Sequence, residues 1–381
     1  MIGLLIEGVC ILISLRIAEK FMSPSEYSEL TIVYSLISIL SFGLFAGLEQ
    51  IRQSEKSTEF NIQKTTTYSL FSLIATSPIV VFILIKLELS ILFALLIIIS
   101  GFSYAVQFDL FGYLSYIEKP YNYAALKILD GATKILFVFT LGSYLNTFQS
   151  IVYAYSLAPL FSILLFIRLT KVNLSFIKLP TSNIKSYIDL SILNFVSLSY
   201  LYGLPLVSYL KDNETIYAAS SLFFSQAYSQ VLQFTLAPIQ FYFLPKIAKQ
   251  YLNGEDIKLS DIYRGSYLGI LISVSYILFT YLFGVQVITY FFYNSYTLNI
   301  QETILIALIS ILVLLIKTSS FFLIAIRKTE LVGYVLLFSF AFLLIIVYFT
   351  QLNPIFAFLF SCLISLFIIF FLNLKLISDD Q

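Results

Sequence analysis

The chain has 381 residues, 59% of them hydrophobic and only 11% charged, with a net charge of +1. A soluble domain carries about 25% charged residues, and helix-long apolar runs exclude a β-barrel, whose strands alternate over about 10 residues. There is no histidine, and Cys10 and Cys362 both lie in apolar segments, which excludes Ser-His-Asp or Cys-His catalysis, a disulfide framework and a cysteine–histidine metal centre.

What remains is an all-α, polytopic membrane protein. Apolar runs predict about twelve transmembrane helices, near 2–18, 30–48, 67–86, 89–107, 121–142, 150–168, 187–206, 216–237, 264–283, 303–325, 330–350 and 354–376. The first lacks the basic start and small-residue cleavage site of a signal peptide, so it reads as a mature span. The eighth is polar for a span, with Ser220, Ser221, Ser225, Gln226, Ser229, Gln230 and Gln233, and prefers helix neighbours to lipid.

Loop charge supports this map. With both termini cytoplasmic, 15 of the 22 basic residues fall on inside segments and 4 on outside ones; Lys127, Lys134 and Lys317 stay within spans. That asymmetry follows the positive-inside rule. The inside connection 169–186 holds Pro180 and several lysines, and it divides residues 1–168, an N-terminal six-helix bundle, from residues 187–381, a C-terminal one. The outside loop near 284–302 is aromatic and nearly uncharged, suited to the interface.

The fifth span, Tyr121 to Gly142, carries Lys127, Asp130 and Lys134. At about 100° per residue the two lysines lie within roughly 20° of each other, with Asp130 about 60° away. Each ionisable residue at mid-helix costs about 2.5–3.5 kcal/mol on insertion scales. This face therefore looks into a bundle or a wet cavity, as a polar path or as an ion-pair network that locks helices together. Lys317 in the tenth span and Glu7 in the first are the other mid-span charges. Glu7 either pairs with a lysine or carries a coupling ion. Arg52 ends the second span. The set is net positive, which suits an anionic cargo such as a pyrophosphate-linked headgroup. Asn194, Gln226 and Gln230 can hydrogen-bond sugars or join helices. No P-loop or dinucleotide fingerprint is present, no cofactor is expected, and a net charge of +1 draws no nucleic acid.

The run from Leu15 to Arg52 resembles the start of Wzx-type O-antigen and polysaccharide flippases. It shows a Pro-x-x-Tyr-like element at Pro24 to Tyr27, then Gly47, Leu48 and Arg52 after a Gly-Leu-rich stretch. Pro245, Lys246, Ile247 and Ala248 are similar to the Pro-x-x-Ala piece after the family's eighth helix. The resemblance implies the multidrug/oligosaccharidyl-lipid/polysaccharide (MOP) exporter, MATE-like architecture: two six-helix bundles around a central cavity. It also implies a task, moving an undecaprenyl-pyrophosphate-linked oligosaccharide from the cytoplasmic to the outer leaflet of a bacterial inner membrane. Arg52, Lys127, Lys134 and Lys317 would be its cavity cations, and a polysaccharide polymerase and chain-length regulator its candidate partners. Two rivals stand beside it: a polymerase or ligase of the same pathway, characteristically with a large outside loop, and a cation-coupled drug exporter of the same superfamily.

Overall fold

The computed structural model describes most of residues 6–54, 91–170, 184–211, 233–255, 259–291, 300–350 and 352–379, with scattered positions in 74–85. The described residues between 6 and 17 are helical. The helices that follow are α1 (Pro24–Ile37), α2 (Leu44–Ser54), α3 (Ile91–Tyr116), α4 (Pro120–Gly142), α5 (Thr147–Thr170), α6 (Ile184–Lys211), α7 (Gln233–Leu252), α8 (Leu259–Phe291), α9 (Ile300–Ala325), α10 (Thr329–Phe349) and α11 (Pro354–Asp379). A π turn, Ser38–Gly43, joins α1 to α2.

Local chemistry marks several starts. Three helices open on proline, at Pro24, Pro120 and Pro354, where the missing N–H costs nothing. At α1, Ser23 and Glu26 form a capping box: the Ser23 N–H and hydroxyl donate to the Glu26 carboxylate at 2.9 and 2.8 Å. At α11, the Asn353 side-chain oxygen accepts from the Ile355 N–H at 3.0 Å.

Among the described residues, six helices are long and apolar enough to cross a bilayer: Glu29–Gln50, Gln149–Thr170, Tyr187–Val207, Ile300–Ala325, Thr329–Phe349 and Pro354–Leu376. The chain is an all-α, multi-pass membrane protein. Two helices outrun their expected limits. α7 continues to Leu252, through residues 238–252 that read as loop in the sequence, and α8 runs to Phe291, well into the aromatic segment read as an outside loop. Most of the third and eighth expected spans, with Gln226 and Gln230, lies outside the described residues.

The chain separates into two compact units, Met1–Phe195 and Val196–Gln381. The first half of α6 belongs to unit 1 because its side chains are fastened there. Ser191 Oγ donates to the Leu44 carbonyl at 2.9 Å, and Asn194 Nδ2 donates to Gln50 Oε1 at 2.9 Å. Two glycines let α2 approach: a Cβ on Gly43 would stand 2.9 Å from Phe195 Cα, and one on Gly47 3.1 Å from the Leu190 carbonyl carbon. In unit 2, α9 is central and largely buried, while α8, α10 and α11 present exposed Leu271, Leu278, Phe338, Tyr348, Phe367 and Phe371. Such apolar outer faces suit acyl chains rather than water.

Candidate functional site

The charged face of α4 points into unit 1. Lys127, Asp130 and Lys134 are buried, whereas Leu136 and Phe139 on other faces of the helix are exposed. Lys134 reaches back one turn to Asp130, with Nζ and Oδ2 2.5 Å apart. Lys127 pairs across helices with Glu7, Nζ to Oε2 at 3.2 Å. Each of the two lysines therefore faces a carboxylate, Glu7 at Lys127 and Asp130 at Lys134.

Gly131 brings the first helix this close. A Cβ there would lie 3.1 Å from Glu7 Cα and 3.0 Å from Cys10 Cβ, so only glycine leaves the approach free. Aromatic rings complete the enclosure. Lys127 Nζ sits 4.1 Å from the Phe111 ring centre. Lys134 Nζ lies 5.7 Å from the Tyr104 ring and 5.5 Å from that of Tyr155. Cation–π attraction at such distances is worth about 2 kcal/mol or more when the site is desolvated.

Tyr155 is the hub of this enclosure. Its hydroxyl is 2.6 Å from Ser14 Oγ on the first helix, and Tyr34 of α1 meets its ring edge-on at 5.1 Å between centroids. Four residues on, Pro159 lacks an N–H, so the Tyr155 carbonyl loses its helical donor. The Tyr104 hydroxyl donates to that carbonyl at 3.4 Å. A helix-breaking residue thus creates an acceptor that a neighbouring helix uses. On the other side of the cluster, the Phe111 and Tyr123 rings are 4.9 Å apart, and the Tyr123 hydroxyl donates to Glu49 at 3.3 Å.

The structure thus brings together Glu7, Lys127, Asp130 and Lys134. Asn194 lies elsewhere in unit 1, on Gln50 and on the Leu190 carbonyl. Arg52 sits on α2 with its side chain outside what is described, and Gln226 lies wholly outside. Lys317 is buried on α9 of unit 2, beside Thr318, Ser319 and Ser320. There Asn373 Nδ2 donates to the Ser319 carbonyl at 2.8 Å, and Tyr200 and Ser361 share a hydrogen bond of 2.6 Å between α6 and α11. Tyr34, Tyr104, Tyr123 and Tyr155 were not among the residues that the sequence singled out. Their signal was a position within apolar runs, where a hydroxyl requires a partner. Among the described residues, no group of three His, Cys, Asp or Glu side chains could hold a metal ion.

No protein-family model matches the chain, and no curated protein matches it. Solved structures do. An inward-facing conformation of a multidrug resistance MATE family transporter of the MOP superfamily superposes with a TM-score of 0.68 at 14% identity, covering 98% of this chain and 95% of the other. An outward-facing conformation of such a transporter gives 0.71 at 14% identity, over 100% and 94%. A MOP superfamily transporter from Pyrococcus furiosus, described as having a binding pocket of reverse polarity that suggests a different function, gives 0.64 at 15% identity over 99% and 95%. From end to end, the fold of this chain is that of the twelve-helix, two-bundle MATE transporters of the MOP superfamily.

Proposed function

We propose that this protein is a transporter that carries a lipid-linked oligosaccharide with a pyrophosphate headgroup across the membrane by alternating access. The observation that carries a transport role is the likeness, over 98% and 100% of the chain, to inward-facing and outward-facing transporters alike. The lipid-linked cargo is supported by the likeness of Leu15 to Arg52 to polysaccharide flippases and by the buried basic residues Lys127, Lys134 and Lys317.

In this mechanism Lys127 and Lys134 are the headgroup's partners. Each already has a carboxylate, so the pyrophosphate binds by taking the place of Glu7 at Lys127. Neutralising Glu7, by a proton from one side of the membrane, frees the ammonium for the cargo. The glycan crosses with the headgroup while the lipid tail stays in the bilayer.

The test is deletion of the gene in its own host, with the lipid-linked glycan followed by leaflet. Its accumulation on the cytoplasmic leaflet, and loss of surface glycan from the Lys127→Ala, Lys134→Ala double variant at normal protein level, is expected. Normal surface glycan from that double variant overturns the assignment of the lysines. A second reading, a drug exporter, is favoured by the likeness of the fold to two multidrug resistance transporters. Drug sensitivity on deletion, with glycan unchanged, would decide for it.

A further inference from the structure

The helices α4 and α5 run antiparallel, joined by the short connection 143–146. Their register is fixed inside unit 1. Thr133 Oγ1 lies 3.4 Å from the Ala158 carbonyl, and the Phe137 and Phe161 rings meet edge-on at 4.9 Å between centroids. Lys119 stands 14 residues before Thr133, and Arg168 stands 10 residues after Ala158. At about 1.5 Å per residue both lie toward the same end of the pair, roughly 21 and 15 Å from that crossing. The two basic residues are therefore about one helical turn apart along the pair.

Both are exposed, as is Tyr121 at the start of α4. Their setting is apolar. The exposed residues described on α5 between Gln149 and Thr170 are Phe161, Leu164, Leu165, Arg168 and Leu169, at helical spacing. Arg168 thus ends the outer stripe of Gln149–Thr170, a helix long and apolar enough to cross the bilayer. A basic side chain at the end of such a stripe reaches the phosphate level, and exposed tyrosine marks the same level. Charge at this end is predominantly positive. Glu118 is the one acidic residue between Asp109 and Asp130, and Arg168 is followed by Lys171, Lys178 and Lys185 before the next acidic residue, Asp189.

We propose that this end of the α4–α5 pair binds the headgroup of an anionic phospholipid. The Arg168 guanidinium offers two parallel N–H groups to a phosphate, and Lys119 adds a second charge from the neighbouring helix. The acyl chains lie along Phe161, Leu164 and Leu165. This stripe selects a lipid over inorganic phosphate, which has nothing to lay against it. The site is on the outer face of unit 1, whereas Lys127, Asp130 and Lys134 are buried, so it stands whether or not the chain transports. Unit 2 offers a contrast. Ser361 Oγ donates to the Ser339 carbonyl at 2.5 Å, and the exposed Lys328 and Lys375 lie about 17 and 21 Å from that bond toward one end of α10 and α11. There Glu330 occupies the first turn of α10, whereas the first turn of α4 holds no acidic residue. A carboxylate at that end competes with a phosphate, so unit 1 carries the stronger site.

The chain has no tryptophan, so a single introduced indole reports its own surroundings alone. Leu164→Trp puts it one turn from Arg168 on the exposed stripe, and Phe139→Trp puts it near the far end of α4, also exposed. The full chain is reconstituted in phosphatidylcholine vesicles containing phosphatidylglycerol, with bromine on the acyl chains of one lipid or the other. Quenching by brominated phosphatidylcholine confirms insertion of each variant. The site gives a preference for phosphatidylglycerol at Leu164→Trp about five-fold above that at Phe139→Trp, the scale of one basic side chain at an anionic surface. Lys119→Gln together with Arg168→Gln abolishes this difference, and Arg168→Lys keeps part of it. The charge-matched pair Lys328→Gln with Lys375→Gln leaves it unchanged. Equal preference at the two indole positions overturns the site, and that comparison decides alone if a charge variant fails to insert. Persistence of the difference without Lys119 and Arg168 overturns it as well. So does an equal fall in the charge-matched variant, because net charge rather than position would then attract the lipid.

Discussion

The Glu7 carboxylate lies 3.2 Å from the Lys127 ammonium, a contact between the first helix and α4 made deep within unit 1. Removing one member of a buried pair leaves an uncompensated charge, which costs about 3–5 kcal/mol. Glu7→Gln and Lys127→Met should each lower stability on that scale. The double variant should lose clearly less than the sum, because the two changes remove opposite charges. Thermal unfolding in detergent micelles checks this, and additive losses would show that the two groups do not interact.

Lys134 is the more enclosed of the two lysines, and its pairing is local. Lys134→Met should destabilise less when Asp130→Asn is already present, since the two pair on one helix. Tyr155→Phe removes the hydrogen bond to Ser14, whose hydroxyl keeps its bond to the Ile11 carbonyl at 2.7 Å, a loss of about 0.5–1.5 kcal/mol. The same denaturation series reports it. No change from Tyr155→Phe would remove Tyr155 from the role of hub.

Gly131 is a steric prediction. An added methyl meets the first helix at 3.0–3.2 Å, on Cys10 and Glu7. Overpacking of this kind costs about 1–3 kcal/mol. Gly131→Ala should therefore lower the melting temperature and raise labelling of Cys10 by a thiol reagent, as the first helix lifts. Unaltered Cys10 protection would show that the helix yields without undocking.

A pH effect is expected at the start of α1. Hydrogen bonds from the Ser23 N–H, and then from its hydroxyl, hold the Glu26 carboxyl below its ordinary value of 4.5. A depressed carboxylate stabilises the fold above its unfolded pKa, and that contribution fades as pH falls below 4.5 through the folded value. The cap is exposed, so its worth is about 0.5 kcal/mol or less. Glu26→Gln should match the parent at pH 3 and fall slightly below it at pH 7, read as amide exchange over Glu26 to Leu30 at the two pH values. A deficit at both pH values would place the effect in packing rather than charge.

Much of α4 was legible because helical geometry is a property of spacing alone. Lys127, Asp130 and Lys134 share a face in any α-helix, and the cost of charge in hydrocarbon sends that face inward. Glu7 could be read as a lysine's partner, but not as the partner of Lys127 in particular. The tyrosine enclosure was not legible. Tyr104 earns its hydrogen bond from a carbonyl that Pro159 frees on another helix, and no linear pattern joins residues 104, 155 and 159. The π turn left no signature either, since Ser38–Gly43 has an apolar composition that fits α and π winding alike. Nor did the sequence show that Ser191 and Asn194 of α6 bond to Leu44 and Gln50 of α2, residues about 145 positions away.

Composition and periodicity by themselves determined that this chain lives in a bilayer, as helices, with the charge of its spans confined to a few faces and the rest of its charge in the loops. The energy of a charge in hydrocarbon depends on residue type and depth, and both can be read along one dimension. Which carboxylate neutralises which ammonium was decided only by tertiary structure. Pair energies at low dielectric fall off over a few ångströms, and the ångströms separating Glu7 from Lys127 are set by Gly131 and by the packing of two helices that are distant in sequence.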